Sequence, residues 1–242
     1  MRACAAPPFA NVRASERASD RMPDHVLDDD TRWRPHDLLR LRHLQQLDGE
    51  PAWVREAFER APYAVVRRAP GTGGFVAIGL RGAQRSQRYG AWAHESDIEA
   101  VIAPESLAEC RPAPERSPLA AFAALATLQH DMSGALAGFI WGPTGSTGFE
   151  LATQVLAVTA SSDLDLLIRA PEKLSRNTAV EIRNRLQAHA QRAGIRVDVQ
   201  IETPAGGVAL AEWAAGKTRV MVRHARGPQL IADPWAPAHG DA

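Results

Sequence analysis

Three aspartates offer the clearest chemistry in this sequence. In Ser162-Asp-Leu-Asp-Leu-Leu-Ile168, Asp163 and Asp165 lie two residues apart in an otherwise aliphatic run. A strand alternates its faces, so both carboxylates project together while Leu164 and Leu166 turn into a core. Like charges held that close repel unless a cation sits between them. Magnesium answers this need, because it prefers oxygen ligands, usually takes one or two carboxylates, and completes its shell with water and substrate phosphate. A second stretch, Ile195–Glu202, alternates in the same way and places Asp198 between Val197 and Val199. Alongside the first strand, Asp198 would act as a further metal ligand or orient a hydroxyl attacking phosphorus. Aspartate is a poor strand former, so three in two such strands argue for function over a merely solvated strand face.

The loop Gly142-Pro-Thr-Gly-Ser-Thr-Gly148 precedes the acidic pair and is expected to lead into a short helix at about Phe149. Backbone amides near Gly145 and Ser146 can approach an anion closely, and a helix N-terminus favours negative charge. Such a turn is unremarkable alone; its place ahead of Asp163 and Asp165 makes it a candidate triphosphate cradle.

These residues need elements to hold them. The spacing predicts a long helix from about Leu174 to Ala193, capped by Ser175, with Ile182, Leu186 and Ala190 on its apolar face and Gly194 at its end. A helical crossover of this kind joins parallel neighbours, which puts Asp163–Ile168 beside Ile195–Glu202 in one sheet. Upstream, an Ala/Leu-rich helix runs to about Met132 and a strand lies around Ala137–Trp141. Nearer the N-terminus, Leu38, Leu41, Leu44 and Leu47 recur at about one helical turn, with His36 and Asp37 as capping residues. A short helix follows at Trp53–Arg60, then strands at Tyr63–Arg67 and Phe75–Leu80 around the Gly71–Gly74 turn. The three prolines of Cys110–Pro118 mark a linker. The expected fold class is α+β: a disordered tail over 1–30, an arginine-rich α+β domain over 31–110, and a mixed-sheet catalytic domain over 118–236.

Charge and composition limit the function. Twenty-eight basic and 28 acidic side chains give no net field for nucleic acid or membrane. The two cysteines, Cys4 and Cys110, are too few for a disulfide framework, and no histidine pair has zinc spacing. No apolar run approaches the ~20 residues that span a bilayer. A soluble cytoplasmic protein is expected. One local asymmetry stands out: from Arg60 to His94 there are six arginines and no acid. Arginine forks suit phosphate oxygens, so Arg81, Arg85 and Arg88 are candidates to bind an anionic donor, an acidic partner surface being the other target. Trp213 and Trp235 are read as packing anchors.

Gly145-Ser146, Asp163-Leu-Asp165 and the late Asp198 together resemble the nucleotidyltransferase pattern, although the interval from Ser146 to Asp163 is longer than is usual there. A narrower resemblance runs from about Arg34 to Trp235 and is to the malonate decarboxylase holo-acyl-carrier-protein synthases, which are phosphoribosyl-dephospho-CoA transferases. It is carried by Arg34-Pro-His-Asp-Leu-Leu39, Val65-Val-Arg-Arg68, Gly79-Leu-Arg-Gly82 with Arg85, Gln87 and Arg88, Ser162–Leu167, and Gly227-Pro228 with Asp233-Pro-Trp235. The resemblance implies a specific reaction. A serine of the apo acyl-carrier subunit of malonate decarboxylase attacks the α-phosphate of 2′-(5″-triphosphoribosyl)-3′-dephospho-CoA, and pyrophosphate leaves. It further implies that Asp163 and Asp165 bind Mg2+, with Asp198 as ligand or base. Two other readings stay open on the residues alone: AMP transfer from ATP through the same carboxylates, and a noncatalytic nucleic-acid-binding module built on the arginine-rich segment.

Overall fold

The structure is a computed structural model of the 242-residue chain and describes residues 3–4, 32–70, 73–131, 134 and 136–236. Apart from Ala3 and Cys4, the expected tail lies outside the described residues, as does the end of the chain after Ala236. The chain forms two compact units: residues 1–67 with 71–100, and residues 68–70 with 101–242.

Among the described residues the first unit is built on strands β1 (Ala3–Cys4), β2 (Leu38–Leu41), β3 (Tyr63–Val66), β4 (Phe75–Arg81), β5 (Arg88–His94) and β6 (Ile98–Ile102), with helix α1 (Trp53–Arg60). The sheet order is β1-β5-β4-β3-β2-β6. Strands β2 to β5 pair antiparallel with their sequence neighbours, and β1 joins β5 in parallel. Leu39, Leu41, Val54, Ile78 and Leu80 form the centre of the core. The α1 boundaries are those the sequence predicts. The helix expected over Leu38–Leu47 is instead strand β2, with Leu38, Leu39 and Leu41 all buried. A run this short and leucine-rich fits either period, and pairing with β3 decides for the strand. His36 and Asp37 therefore cap no helix. They form the turn into β2, where the buried Asp37 carboxylate accepts from the Arg34 amide at 3.0 Å.

The second unit carries strands β7 (Ile140–Pro143), β8 (Leu164–Arg169), β9 (Val197–Thr203), β10 (Gly206–Ala209), β11 (Val220–His224) and β12 (Gly227–Ile231). They form a mixed sheet in the order β12-β11-β10-β9-β8-β7, in which β8 and β9 are parallel and the other neighbours antiparallel. Helices α2 (Ala120–His130), α3 (Gly145–Thr153), α4 (Arg176–Ala193) and α5 (Leu210–Ala214) complete it. As predicted, α4 is the crossover between the parallel pair, with the Ser175 hydroxyl accepting from the Thr178 amide and Gly194 ending it in the left-handed region at φ 65°. Phe122 and Leu125 of α2 and Ile182 and Leu186 of α4 bury against Leu164, Leu166 and Ile201 of the sheet. Each such side chain contributes about 1.5–3 kcal/mol on leaving water. The opposite sheet face carries the site.

The C-terminal hairpins extend the sheet at positions where no strand is expected from the sequence. Strand β10 reads Gly-Gly-Val-Ala, a poor strand by propensity. Beside its Gly207 lie the ends of two side chains: a Cβ there would fall 2.5 Å from Gln200 Nε2 and 2.6 Å from Arg68 Nη2. Arg68 in turn pairs with Glu202. The three-proline stretch is held within the second unit: Gln129 Nε2 donates to the carbonyls of Ala108 and Cys110 at 2.8 and 2.9 Å. Trp213 and Trp235 are packing anchors, donating their indole N–H groups to the carbonyls of Leu174 and Ala170 at 2.9 and 2.8 Å. Asp233 begins the turn before Trp235, accepting from its amide at 3.0 Å and pairing with Lys173 at 2.5 Å.

Candidate active site

Two parallel strands place the carboxylates. In the β8–β9 register Asp165 stands opposite Asp198, and Leu164 opposite Val197. Register partners on adjacent strands project to the same side, with backbones about 4.8 Å apart. Leu164 and Leu166 are buried beneath Asp165, and Ile201 lies on the same inner side of β9. Asp163 precedes β8 by one residue and shares the face of Asp165 by alternation. One position before β9, the Leu164 amide donates to the Arg196 carbonyl at 3.0 Å, which brings Arg196 level with the start of β8.

Arg196 is the residue whose role the sequence did not disclose. Its Nη2 lies 2.5 Å from Asp198 Oδ2 and 3.3 Å from Asp163 Oδ2. One guanidinium therefore bridges carboxylates from two strands. The signal was present, since Arg196 and Asp198 are two apart on an alternating strand, but an arginine there reads equally well as a solvated side chain.

The glycine loop meets the acids directly. Helix α3 starts at Gly145, four residues earlier than the sequence suggested, so Ser146 and Gly148 lie in its first turn rather than in a loop. Gly145 has φ +60°, and a Cβ on it would fall 2.1 Å from Asp165 Oδ2. The Asp165 carboxylate thus lies against the N-terminal turn of α3. The Thr144 amide donates to the Asp165 carbonyl at 2.8 Å, and the Thr144 side chain makes no capping hydrogen bond to the helix. Two more close approaches fix the corner. A Cβ on Gly142 would lie 1.8 Å from the Pro104 carbonyl oxygen, and one on Gly148 2.4 Å from that of Pro143.

The far end of α3 is fastened by Glu150, which is buried. Arg116 Nε donates to Glu150 Oε1 at 2.7 Å, and the amides of Ala157 and Val158 both donate to Oε2 at 2.7 Å. Burial alone would raise the carboxyl pKa, but the Arg116 hydrogen bond and the two amides outweigh it and hold it below the ordinary glutamate value. In the first turn of α3 the Thr147 hydroxyl is buried and, among the described residues, is the one such side-chain atom without a hydrogen-bond partner.

The donor set fits a hard divalent cation. Magnesium usually takes one or two protein carboxylates, and here Asp165 and Asp198 share a face with Asp163 adjoining. Gly145, having no side chain, lets the Asp165 carboxylate lie against the start of α3, and a guanidinium already lies between Asp163 and Asp198. Among the described residues no three His, Cys, Asp or Glu side chains gather closely enough to enclose an ion themselves. The three carboxylates are thus brought to one face but not to one point.

Arg81, Arg85 and Arg88 belong to the first unit. Arg81 and Arg88 are register partners at the end of the β4–β5 hairpin, and Arg85 is exposed in the turn between them. Like charges directly opposite on a hairpin destabilise it unless something negative offsets them.

Comparison with known proteins agrees with the resemblance. The family described as phosphoribosyl-dephospho-CoA transferase MdcG C-terminal domain matches residues 94–234, and the corresponding N-terminal domain family matches residues 34–104. The chain is 43% identical over 204 residues to a phosphoribosyl-dephospho-CoA transferase of Pseudomonas putida, covering 84% of this chain and 95% of that one. It is 42% identical over 211 residues to that of Pseudomonas aeruginosa, covering 86% and 96%. It is 40% identical over 206 residues to that of Azotobacter vinelandii, covering 84% and 94%. No solved structure matches the chain significantly. Family matches that run almost without break from residue 34 to residue 234, with relatives matched over nearly their whole length, lead to one conclusion: this chain belongs to the phosphoribosyl-dephospho-CoA transferases and is an enzyme of the transferase class.

Proposed function

We propose that the protein transfers the phosphoribosyl-dephospho-CoA group from 2′-(5″-triphosphoribosyl)-3′-dephospho-CoA to a serine of the apo acyl-carrier subunit of malonate decarboxylase, with release of pyrophosphate. The observation that carries the reading is the shared face of Asp163, Asp165 and Asp198 on parallel strands, with the N-terminal turn of α3 against Asp165. This is an arrangement suited to a nucleotidyltransferase-type displacement at phosphorus. Asp163 and Asp165 would hold Mg2+, which when bound would supply positive charge against the phosphoryl oxygens. Asp198 orients the serine hydroxyl and accepts its proton as the new P–O bond forms and the bond to pyrophosphate breaks. Gly145 lets backbone approach Asp165 closely, and the N-terminal amides of α3 at Gly145 and Ser146 favour negative charge there. In the first unit, the facing pair Arg81 and Arg88, with Arg85, forms an anion-binding edge for phosphates of the donor.

The test is pyrophosphate release in the presence of magnesium, with the donor and the apo carrier supplied separately and together, and with ATP in place of the donor. Release that needs both the CoA derivative and the carrier supports the reading. Release from ATP would move the function to AMP transfer. Salt-sensitive nucleic-acid binding with no release from either would favour the binding-module reading.

A further inference from the structure

We infer that Arg196 is a resident counter-cation of this site: it holds Asp163 and Asp198 together until a divalent ion displaces it, and its released guanidinium then takes an oxygen of the donor's phosphates. The inference rests on the reading of these carboxylates as metal-holding groups.

Three observations carry it. A single nitrogen, Nη2, reaches carboxylates that belong to neighbouring strands, at 2.5 and 3.3 Å. This is the position of a charge that neutralises both. Next, the grip is loose. The Arg196 side chain is 64% exposed, whereas Arg116 and Arg68, the arginines that pair with Glu150 and Glu202, are 22% and 14% exposed. Ion pairs between partly exposed groups shift an equilibrium by a factor of only roughly 1.5–5, so a doubly charged ion that draws on Asp163 competes effectively with the guanidinium for it. Finally, a cation leaving Asp198 remains tethered one residue before β9, beside the place where the phosphates collect. Its planar fork suits two phosphate oxygens better than a single carboxylate oxygen. The exchange leaves the site charged to match each state: a guanidinium on the carboxylates before metal enters, and a guanidinium on the phosphates afterwards.

The test is titration of manganese(II) alone into the full-length protein by calorimetry, for wild type, Arg196→Gln and Asp165→Asn. Arg196→Gln should bind manganese roughly 1.5- to 5-fold more tightly, since the competitor is gone. A variant that merely damaged the fold would not gain affinity. Asp165→Asn should lose most of the binding and serves as the control for the metal reading. If Arg196→Gln binds equally or more weakly while Asp165→Asn still abolishes binding, the inference is overturned and the metal site stands. If wild type and Arg196→Gln both fail to bind, the metal reading falls and the inference with it. In turnover, Arg196→Gln should raise KM for the CoA donor several-fold more than it changes KM for the carrier; an unchanged donor KM would overturn the second half.

Discussion

Asp165 and Asp198 stand directly opposite each other on adjacent parallel strands. Two acidic side chains at one register position are costly in a sheet, because like charges across a strand pair repel. Asp163 adds a third, and the structure meets the charge with Arg196 and with the N-terminal turn of α3. The same pattern of acids that weakens a strand is what the proposed cation and phosphate site would use.

Removing charge while keeping shape tests that reading. Asp163→Asn and Asp165→Asn should each lower transfer by at least ~100-fold, since each takes a ligand from a site that relies on one or two carboxylates. Thermal unfolding should stay at or slightly above the wild-type midpoint, because a repulsive charge is lost. A turnover assay beside a melting curve checks both, and near-normal turnover in either variant would refute the role.

Gly145→Ala should damage stability and activity together. The left-handed backbone at φ +60° costs a side chain about 1–2 kcal/mol. The new Cβ would also fall 2.1 Å from Asp165 Oδ2, so the carboxylate must move. Ser146→Ala meets neither obstacle and should melt close to wild type. Denaturant melts and kcat for the two variants give the comparison.

Glu150 makes stability pH-dependent. Its folded pKa lies below the ordinary value, so its contribution is fully present above the unfolded glutamate pKa of about 4.3. The contribution is lost as pH falls through the lower folded value. Glu150→Ala should cost about 2–3 kcal/mol at neutral pH, the scale of leaving the Ala157 and Val158 amides without an acceptor. Urea melts at pH 7 and at pH 4 should show the gap between wild type and variant narrowing toward the lower pH.

Thr147→Val should be neutral or stabilising by up to ~1 kcal/mol, because it replaces a buried hydroxyl without a partner by a methyl of similar size. Activity measured on the same sample shows whether that hydroxyl matters to the reaction.

The catalytic strands were legible because the pattern there is strong. Leu164 and Leu166 alternate with two aspartates, and the Ser175 cap and Gly194 stop bracket a long helix whose crossover fixes the parallel pairing. Trp53–Arg60 was equally plain. The misreadings have local causes. Leu38, Leu39 and Leu41 fit a helix until β3 is there to pair with them. Strand β5, with Gly90, Ala91 and Ala93, and strand β10, with Gly206, Gly207 and Ala209, carry few of the residues that announce strands. Arg196 escaped notice because nothing in an exposed arginine tells which carboxylates it will reach.

The most direct measurement is the intact mass of the apo acyl-carrier subunit of malonate decarboxylase after incubation with this protein, magnesium and 2′-(5″-triphosphoribosyl)-3′-dephospho-CoA, followed by fragmentation to locate the modification. The account predicts a gain equal to one phosphoribosyl-dephospho-CoA group on a single serine, absent with Asp165→Asn and absent when ATP replaces the donor. No gain with the CoA donor, or an equal gain with Asp165→Asn, would contradict it.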